Sequence, residues 1–342
     1  MNVLHHPGWL QFVVLAAAAC AQGMEPLAAP VPTPAVLSPE ASAIPPVSSP
    51  QAAQAPAPAD ADEEPLYAAP TQIDRIGRIL APVMVNGQGP FRFLLDTGAN
   101  QTTLTPELVT RLGLQPAVGK VQIVHGVTGS AEVGSVLVER VEAGALLLEQ
   151  QHFPIVPSTI ATQADGILGV AGLERARVYV DFRGDRVIVS RSRVARHERG
   201  TWLVIDARRM DDGLLAVDAR VRGVRARAII DTGAERTLGN LALREAVRSQ
   251  RRATRPPRLT DVFGATLQVS KGESEVANTV LLGEVRITHV DITYGDFHIF
   301  HAWGLTDRPA MLIGMDVLGV PEALVIDFRK EQLLVRKSDG RR

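Results

Sequence analysis

From residue 71 onward the apolar positions fall in short runs broken by glycine, proline and charged residues, the pattern of strands joined by tight turns. Residues 81–96, APVMVNGQGPFRFLLD, read as strand, glycine-containing turn and strand. Residues 214–231, LLAVDARVRGVRARAIID, read the same way, and both hairpins end on an aspartate. Further strand-like stretches are expected at 120–125, 133–141, 145–156 and 177–190. Helical signals are few. Thr105-Pro106-Glu107 supplies an N-cap and a first-turn proline, and Gly113 a stop, for one short helix. Asn240 is placed to cap a second one running to about Val247. The pattern predicts an all-β protein.

Upstream the pattern is different. Residues 9–19, WLQFVVLAAAA, form an apolar run too short to span a bilayer, followed by the small-residue sequence Ala19-Cys20-Ala21. Residues 1–21 therefore read as a secretory signal, with lipidation at Cys20 as the alternative; its n-region has His5 and His6 but no Lys or Arg. Both readings imply export to the periplasm or cell envelope, with membrane attachment only through a lipid on Cys20. Residues 22–70 are rich in Pro and Ala and lack recurring large apolar side chains, so a disordered linker is expected. Two lobes follow, at 71–192 and 202–338, joined by the polar connector 193–201.

Composition narrows the chemistry. A chain of 342 residues is long enough for two cores. Its formal net charge of −1 gives no global field for nucleic acid, and none is expected as a partner. Cys20 is the only cysteine, which excludes an internal disulfide, and the eight histidines show no metal-ligand spacing such as HExxH. Neither a metal nor a cofactor is expected. His125, and Trp202 with Trp303, read as a surface loop residue and as core or lobe-edge aromatics.

The candidate chemistry lies in a repeat. Asp96-Thr97-Gly98-Ala99 and Asp231-Thr232-Gly233-Ala234 each follow an apolar run. With Asp laid on Asp, Gly129 and Gly264 both fall 33 residues later, in the turn-prone stretches Val127-Thr128-Gly129 and Val262-Phe263-Gly264. Ile167-Leu168-Gly169 and Leu312-Ile313-Gly314 come next, and the halves close on VYVDFRGDRVIV (178–189) and LVIDFRKEQLLV (324–335). Such order points to duplication of one β unit, the two copies facing each other across a cleft.

In these residues the chain resembles the retropepsins, the retroviral-type aspartic proteases, but with both halves in one polypeptide, as in pepsins. The resemblance covers roughly 75–192 and 202–338. It implies an endopeptidase in which Asp96 and Asp231 activate one water, and a monomer that is an internal pseudo-dimer acting on polypeptide substrates. It further implies that Thr97 and Thr232 lock the loops across the lobes, and that Gly98, Ala99, Gly233 and Ala234 shape them. The hairpins at 127–129 and 262–264 would close over an extended peptide, and the segments at 167–169 and 312–314 would brace the loops from beneath. Two like charges held so close cannot both ionise readily, so the pair should share a proton.

The chain departs from the pattern in three places. Asp316 matches the family's polar residue two positions after Gly314, whereas the first half has Ala171 there. No Tyr stands at either hairpin tip. Ala99 and Ala234 stand where pepsins place a hydroxyl residue, so an aspartate pair that titrates high and activity from mildly acidic to near-neutral pH are expected. The alternative reading is a non-catalytic peptide-binding protein of the cell envelope.

Overall fold

The computed structural model describes residues 78–157, 164–192, 202–250 and 256–336, and, as backbone strands only, 13–15, 19–20, 68–70 and 72–73. Both lobes belong to one compact unit, and residues 22–64 lie outside the described residues. The expected linker thus lies almost entirely outside the described residues, and so does the expected connector at 193–201. One boundary moves: Ala68–Pro70, assigned to the linker, pairs antiparallel with residues 186–188 as an edge strand.

The fold is all-β. The first lobe is built on Ile79–Val85 and Gln88–Leu95, an antiparallel hairpin whose second strand delivers Asp96. Its turn is Asn86-Gly87, both at positive φ, which the αL-tolerant pair Asn-Gly accommodates readily. Phe93, Leu94 and Leu95 are buried, and side chains of this size contribute about 1.5–3 kcal/mol each when fully buried. A core on both faces at the strand end leaves Asp96 fixed at its C-terminus. The second lobe repeats the device with Leu215–Val221 and Val224–Ile230, where Ala228, Ile229 and Ile230 are buried and lead into Asp231.

The two near-identical closing motifs have a structural role that the repeat alone did not reveal. Ala176–Asp181 and Ala323–Asp327 pair antiparallel with each other across the lobes. Arg186–Arg191 and Gln332–Arg336 flank them, and Trp202–Arg209 continues the sheet beside the latter strand. One sheet therefore joins the two copies, and its buried valines, leucines and isoleucines merge the lobes into one hydrophobic core.

The expected helices form. Pro106–Arg111 is capped by the Thr105 hydroxyl, which accepts from Leu108 N at 3.2 Å, and Gly113 follows at φ +64°. Leu241–Gln250 is capped by Asn240 Oδ1 on Leu243 N at 2.8 Å and runs three residues beyond the expected end. Two shorter helices, His298–Ala302 and Met315–Leu318, are additions. At five and four residues they are too brief for helical periodicity to register in the sequence. No helix of the described residues is long and apolar enough to cross a membrane.

Candidate active site

Each aspartate sits at the end of a strand and is held from beneath by a third. Gly166–Leu168 runs parallel to Phe93–Leu95, and Leu168 O accepts from Asp96 N at 3.0 Å. Ala310–Ile313 does the same beside Arg227–Ile230, with Ile313 O accepting from Asp231 N at 3.1 Å. The carbonyls of Ala99 and Ala234 then accept from Val170 N and Met315 N at 2.9 and 2.8 Å. Ile167, Leu168, Gly169, Leu312, Ile313 and Gly314 thus lie directly under the loops. A Cβ at Gly169 would stand 2.4 Å from Gln101 O, and one at Gly314 would stand 2.7 Å from the Arg236 backbone. Only glycine lets these segments come so close to the aspartate loops.

The loops meet through their threonines. Thr97 Oγ1 donates to Ile230 O at 2.8 Å, and Thr232 Oγ1 donates to Leu95 O at 2.7 Å. Each hydroxyl also accepts from the opposite threonine's amide at 3.1 Å. Four buried hydrogen bonds thus cross between lobes, each polar group satisfied by its counterpart.

The grip brings the aspartates together. Asp96 Oδ1 accepts from Gly98 N at 2.8 Å; Asp231 Oδ1 accepts from Gly233 N at 2.8 Å and Ala234 N at 3.0 Å. A Cβ at Gly98 would lie 2.5 Å from the Asp231 carboxylate, and one at Gly233 would collide with that of Asp96. Each loop's glycine therefore faces the other loop's acid. Both aspartates are wholly buried, and Oδ2 of each receives no hydrogen bond from a donor outside the pair. Those two oxygens are the free face of the pair.

Burial is the main influence on both acids. It raises Asp96 to about 6 against the pull of a hydrogen bond with Asp231, the Gly98 amide, the Arg78 guanidinium and the Ala99 amide. Burial and then the Asp96 charge raise Asp231 well above the ordinary carboxylate range. Such an arrangement holds one proton between two carboxyls.

Above the pair are two hairpins. The first, Pro116–Gly126 with Ser130–Ala143, turns at 127–129 as the sequence indicated. The second, Arg258–Phe263 with Val269–Ala277, turns at 264–268, so Val262 and Phe263 belong to its strand and only Gly264 to its tip. Phe263 pairs with Val269, which fixes the later turn. The tips meet: a Cβ at Gly264 would stand 2.5 Å from Thr128 Oγ1, one at Gly129 would strike Gln268, and Gln268 Nε2 donates to Ser130 O at 3.5 Å. Val13–Leu15 pairs parallel with Val124–Gly126, and Ala19–Cys20 antiparallel with Val262–Phe263, so both hairpins accept a further strand on a free edge.

Several residues at the site were not singled out from the sequence. Thr102 and Thr237, each six residues after its aspartate, donate no chemistry but accept from Gly169 N at 3.3 Å and Gly314 N at 3.2 Å. Their shared offset in the repeat was the available signal. Arg78, 1% exposed, carries a charge felt at Asp96, and no pattern announced it. His125 is a correction. It is half-buried on the first hairpin, with Nδ1 2.8 Å from His298 Nε2, rather than a surface loop residue. The helix carrying His298 was not foreseen, so neither was its partner.

Two β lobes in one chain, each carrying an Asp-Thr-Gly loop to a common centre, define a duplicated retropepsin-like protein. The family model described as "Aspartyl protease" matches residues 81–171 and 217–317, more than half of the chain. The chain belongs to the aspartyl protease family. No curated protein matches it.

Proposed function

We propose that this protein is an aspartic endopeptidase in which Asp96 and Asp231 together activate a water against a peptide bond. The observation that carries this reading is the buried, near-symmetric carboxyl pair, with its two Oδ2 atoms free of donors outside the pair. The pair shares one proton, and we assign it to Asp231 because the Arg78 charge favours ionised Asp96. Asp96 takes a proton from water as its oxygen attacks the carbonyl carbon, while Asp231 gives its proton to the carbonyl oxygen. The tetrahedral diol collapses as one hydroxyl proton returns to Asp231 and the Asp96 proton passes to the leaving nitrogen. The pair ends as it began, so no cofactor is needed.

The substrate is an extended polypeptide held beneath the two hairpins by strand pairing, a mode in which backbone bonds give affinity and side-chain pockets give selectivity. The strands that residues 13–15 and 19–20 add to the hairpins support that mode. The site is completed within one chain, so the working unit is a monomer, and export through residues 1–21 places it in the cell envelope. With Asp96 near 6, activity rises as pH passes upward through that value and falls once Asp231 loses its proton.

Cleavage of a fluorogenic peptide library by the full chain, and by its Asp96→Asn and Asp231→Asn variants, tests the proposal. Each variant should lose at least about 10³-fold in kcat/KM while keeping its near-UV circular dichroism. Unchanged peptide affinity with no cleavage by the wild type at any pH would instead favour a peptide-binding role.

A further inference from the structure

The second lobe carries a groove of about 650 Å³ away from the aspartate pair. Five guanidiniums line it, those of Arg208, Arg220, Arg225, Arg227 and Arg308, against the single carboxylate of Asp218. Arg208 reaches Asp218 at 3.4 Å, a pair more than 70% exposed at both ends and so worth little. Among the described residues the other four make no ion pair. Arg220, Arg225 and Arg227 project from the outer face of the strands Leu215–Val221 and Val224–Ile230, alternating with Ala219, Val221, Val224 and Ala226 in the core, and Arg308 joins them from the loop before Ala310.

The register makes this more than a solvated face. Arg220 lies directly opposite Arg225 across the antiparallel pair. Like charges in directly opposed positions destabilise a sheet. The strand thus bears an unfavourable contact that an anion between the two guanidiniums would reverse. Arginine's planar fork, moreover, suits bidentate bonding to phosphate and carboxylate oxygens.

We infer that this groove binds a compact polyanion, a ligand carrying two or more phosphate groups close together. The convergence of the charges on one concavity selects this class: an acidic peptide spreads its carboxylates along an extended backbone, about 3.3 Å per residue, whereas a di- or triphosphate concentrates them. Walls of Leu281, Leu305 and Pro309 admit an apolar portion of the same ligand beside the phosphates. None of the lining residues belongs to the aspartate loops or to the hairpins above them, so the site is independent of peptide cleavage.

The test is calorimetric titration and thermal shift of the full chain with inorganic triphosphate, at low and at physiological salt. Arg220→Gln/Arg225→Gln is the groove variant. Arg183→Gln is the control, an exposed arginine paired with Glu322 elsewhere. The wild type should bind and gain thermal stability, and the groove variant should bind at least about tenfold more weakly, which is about 1.4 kcal/mol. Without ligand the groove variant should be as stable as the wild type or more so, since the opposed charges are gone. Peptidase activity should not change.

A second arm uses vesicles containing cardiolipin, a lipid with two phosphates in one headgroup. Sedimentation with them, competed by triphosphate, assigns the phosphates to lipid headgroups; binding of triphosphate alone assigns a soluble ligand. No binding by the wild type, or equal weakening in the Arg183 control, would overturn the inference.

Discussion

The two lobes build the same loop on the same strands, yet they brace it differently. In the second lobe, Asp316 Oδ1 accepts from the Thr237 hydroxyl at 2.7 Å and its Oδ2 from Thr237 N at 3.1 Å, and Thr237 in turn receives Gly314 N. In the first, Thr102 receives Gly169 N, but Ala171 stands where Asp316 would be. The first lobe has something else: a buried arginine, Arg78, next to its aspartate's field. Duplication thus preserved the geometry of the pair while letting its electrostatic support diverge. One lobe invests in hydrogen bonds beneath the loop, the other in a charge beside the acid.

The shared part should break equally from either side. Gly98→Ala and Gly233→Ala each place a methyl group against the opposite carboxylate, so both should cost about 10²-fold or more in kcat, the scale of an ångström-sized misplacement. Steady-state kinetics on both variants measures this. A large loss from one substitution and none from the other would show that the loops are not equivalent at the centre.

The unshared part should respond unequally. Asp316→Ala strands a buried hydroxyl and an amide of Thr237, at a cost of about 1–3 kcal/mol in urea unfolding. The reciprocal change, Ala171→Asp, offers Thr102 the acceptor it lacks by comparison with Thr237 and should gain about 0.5–1.5 kcal/mol. The effect at Asp316 depends on pH. Burial raises Asp316 to about 6, above the roughly 3.9 of an unfolded aspartate, so the folded state holds the proton more tightly. Its contribution is full below the unfolded value and declines as pH rises through about 6. The wild type should therefore lose, between those values, an increment of stability that Asp316→Asn keeps.

How much of this was legible follows the same division. The aspartates, threonines and glycines recur at fixed offsets, so the duplication itself exposed them, as it did the segments at 167–169 and 312–314. The absence of a polar residue at Ala171 was visible for the same reason. Arg78 and His125 were not: each acts from one lobe only, and a repeat cannot reveal what it does not repeat. The second hairpin's turn fell late because Phe263 and Val269 pair across it, and strand pairing leaves no mark at a single position. The joining of VYVDFRGDRVIV to LVIDFRKEQLLV was hidden likewise, since similarity between two strands does not say that they touch.

Arg78 sharpens the comparison. Its charge favours ionised Asp96, so Arg78→Met should move the acidic limb of the kcat/KM profile to higher pH, and Arg78→Lys should leave it nearly in place. The second lobe has the buried, uncharged Leu214 at the equivalent place in the strand register and no charge to lose there. Unchanged acidic limbs in both variants would remove Arg78 from the account of the pair's asymmetry.

The smallest expected effect concerns the hairpins. The first is tied to the second lobe by His125 and His298, stacked with centroids 5.1 Å apart and sharing a hydrogen bond, and by Ile299 N donating to Val127 O at 3.4 Å. Across the hairpin His125 faces uncharged Ser130. On the helix the nearby titratable groups are His301, whose charge acts on His298, and Asp296, which holds His301 at 2.6 Å. Burial lowers both His125 and His298, and each would repel the other if charged. The tie is therefore complete above the ordinary histidine range of about 6.5 and is lost as pH falls through the lowered values. Below that point the first hairpin should release and the second should not. KM should then rise at acidic pH with kcat following the aspartates alone, and His125→Gln, which retains a hydrogen-bonding side chain without a titrating charge, should flatten the rise in KM by a few fold. A KM that climbs equally in wild type and variant would place the pH response in the aspartate pair rather than in the hairpin.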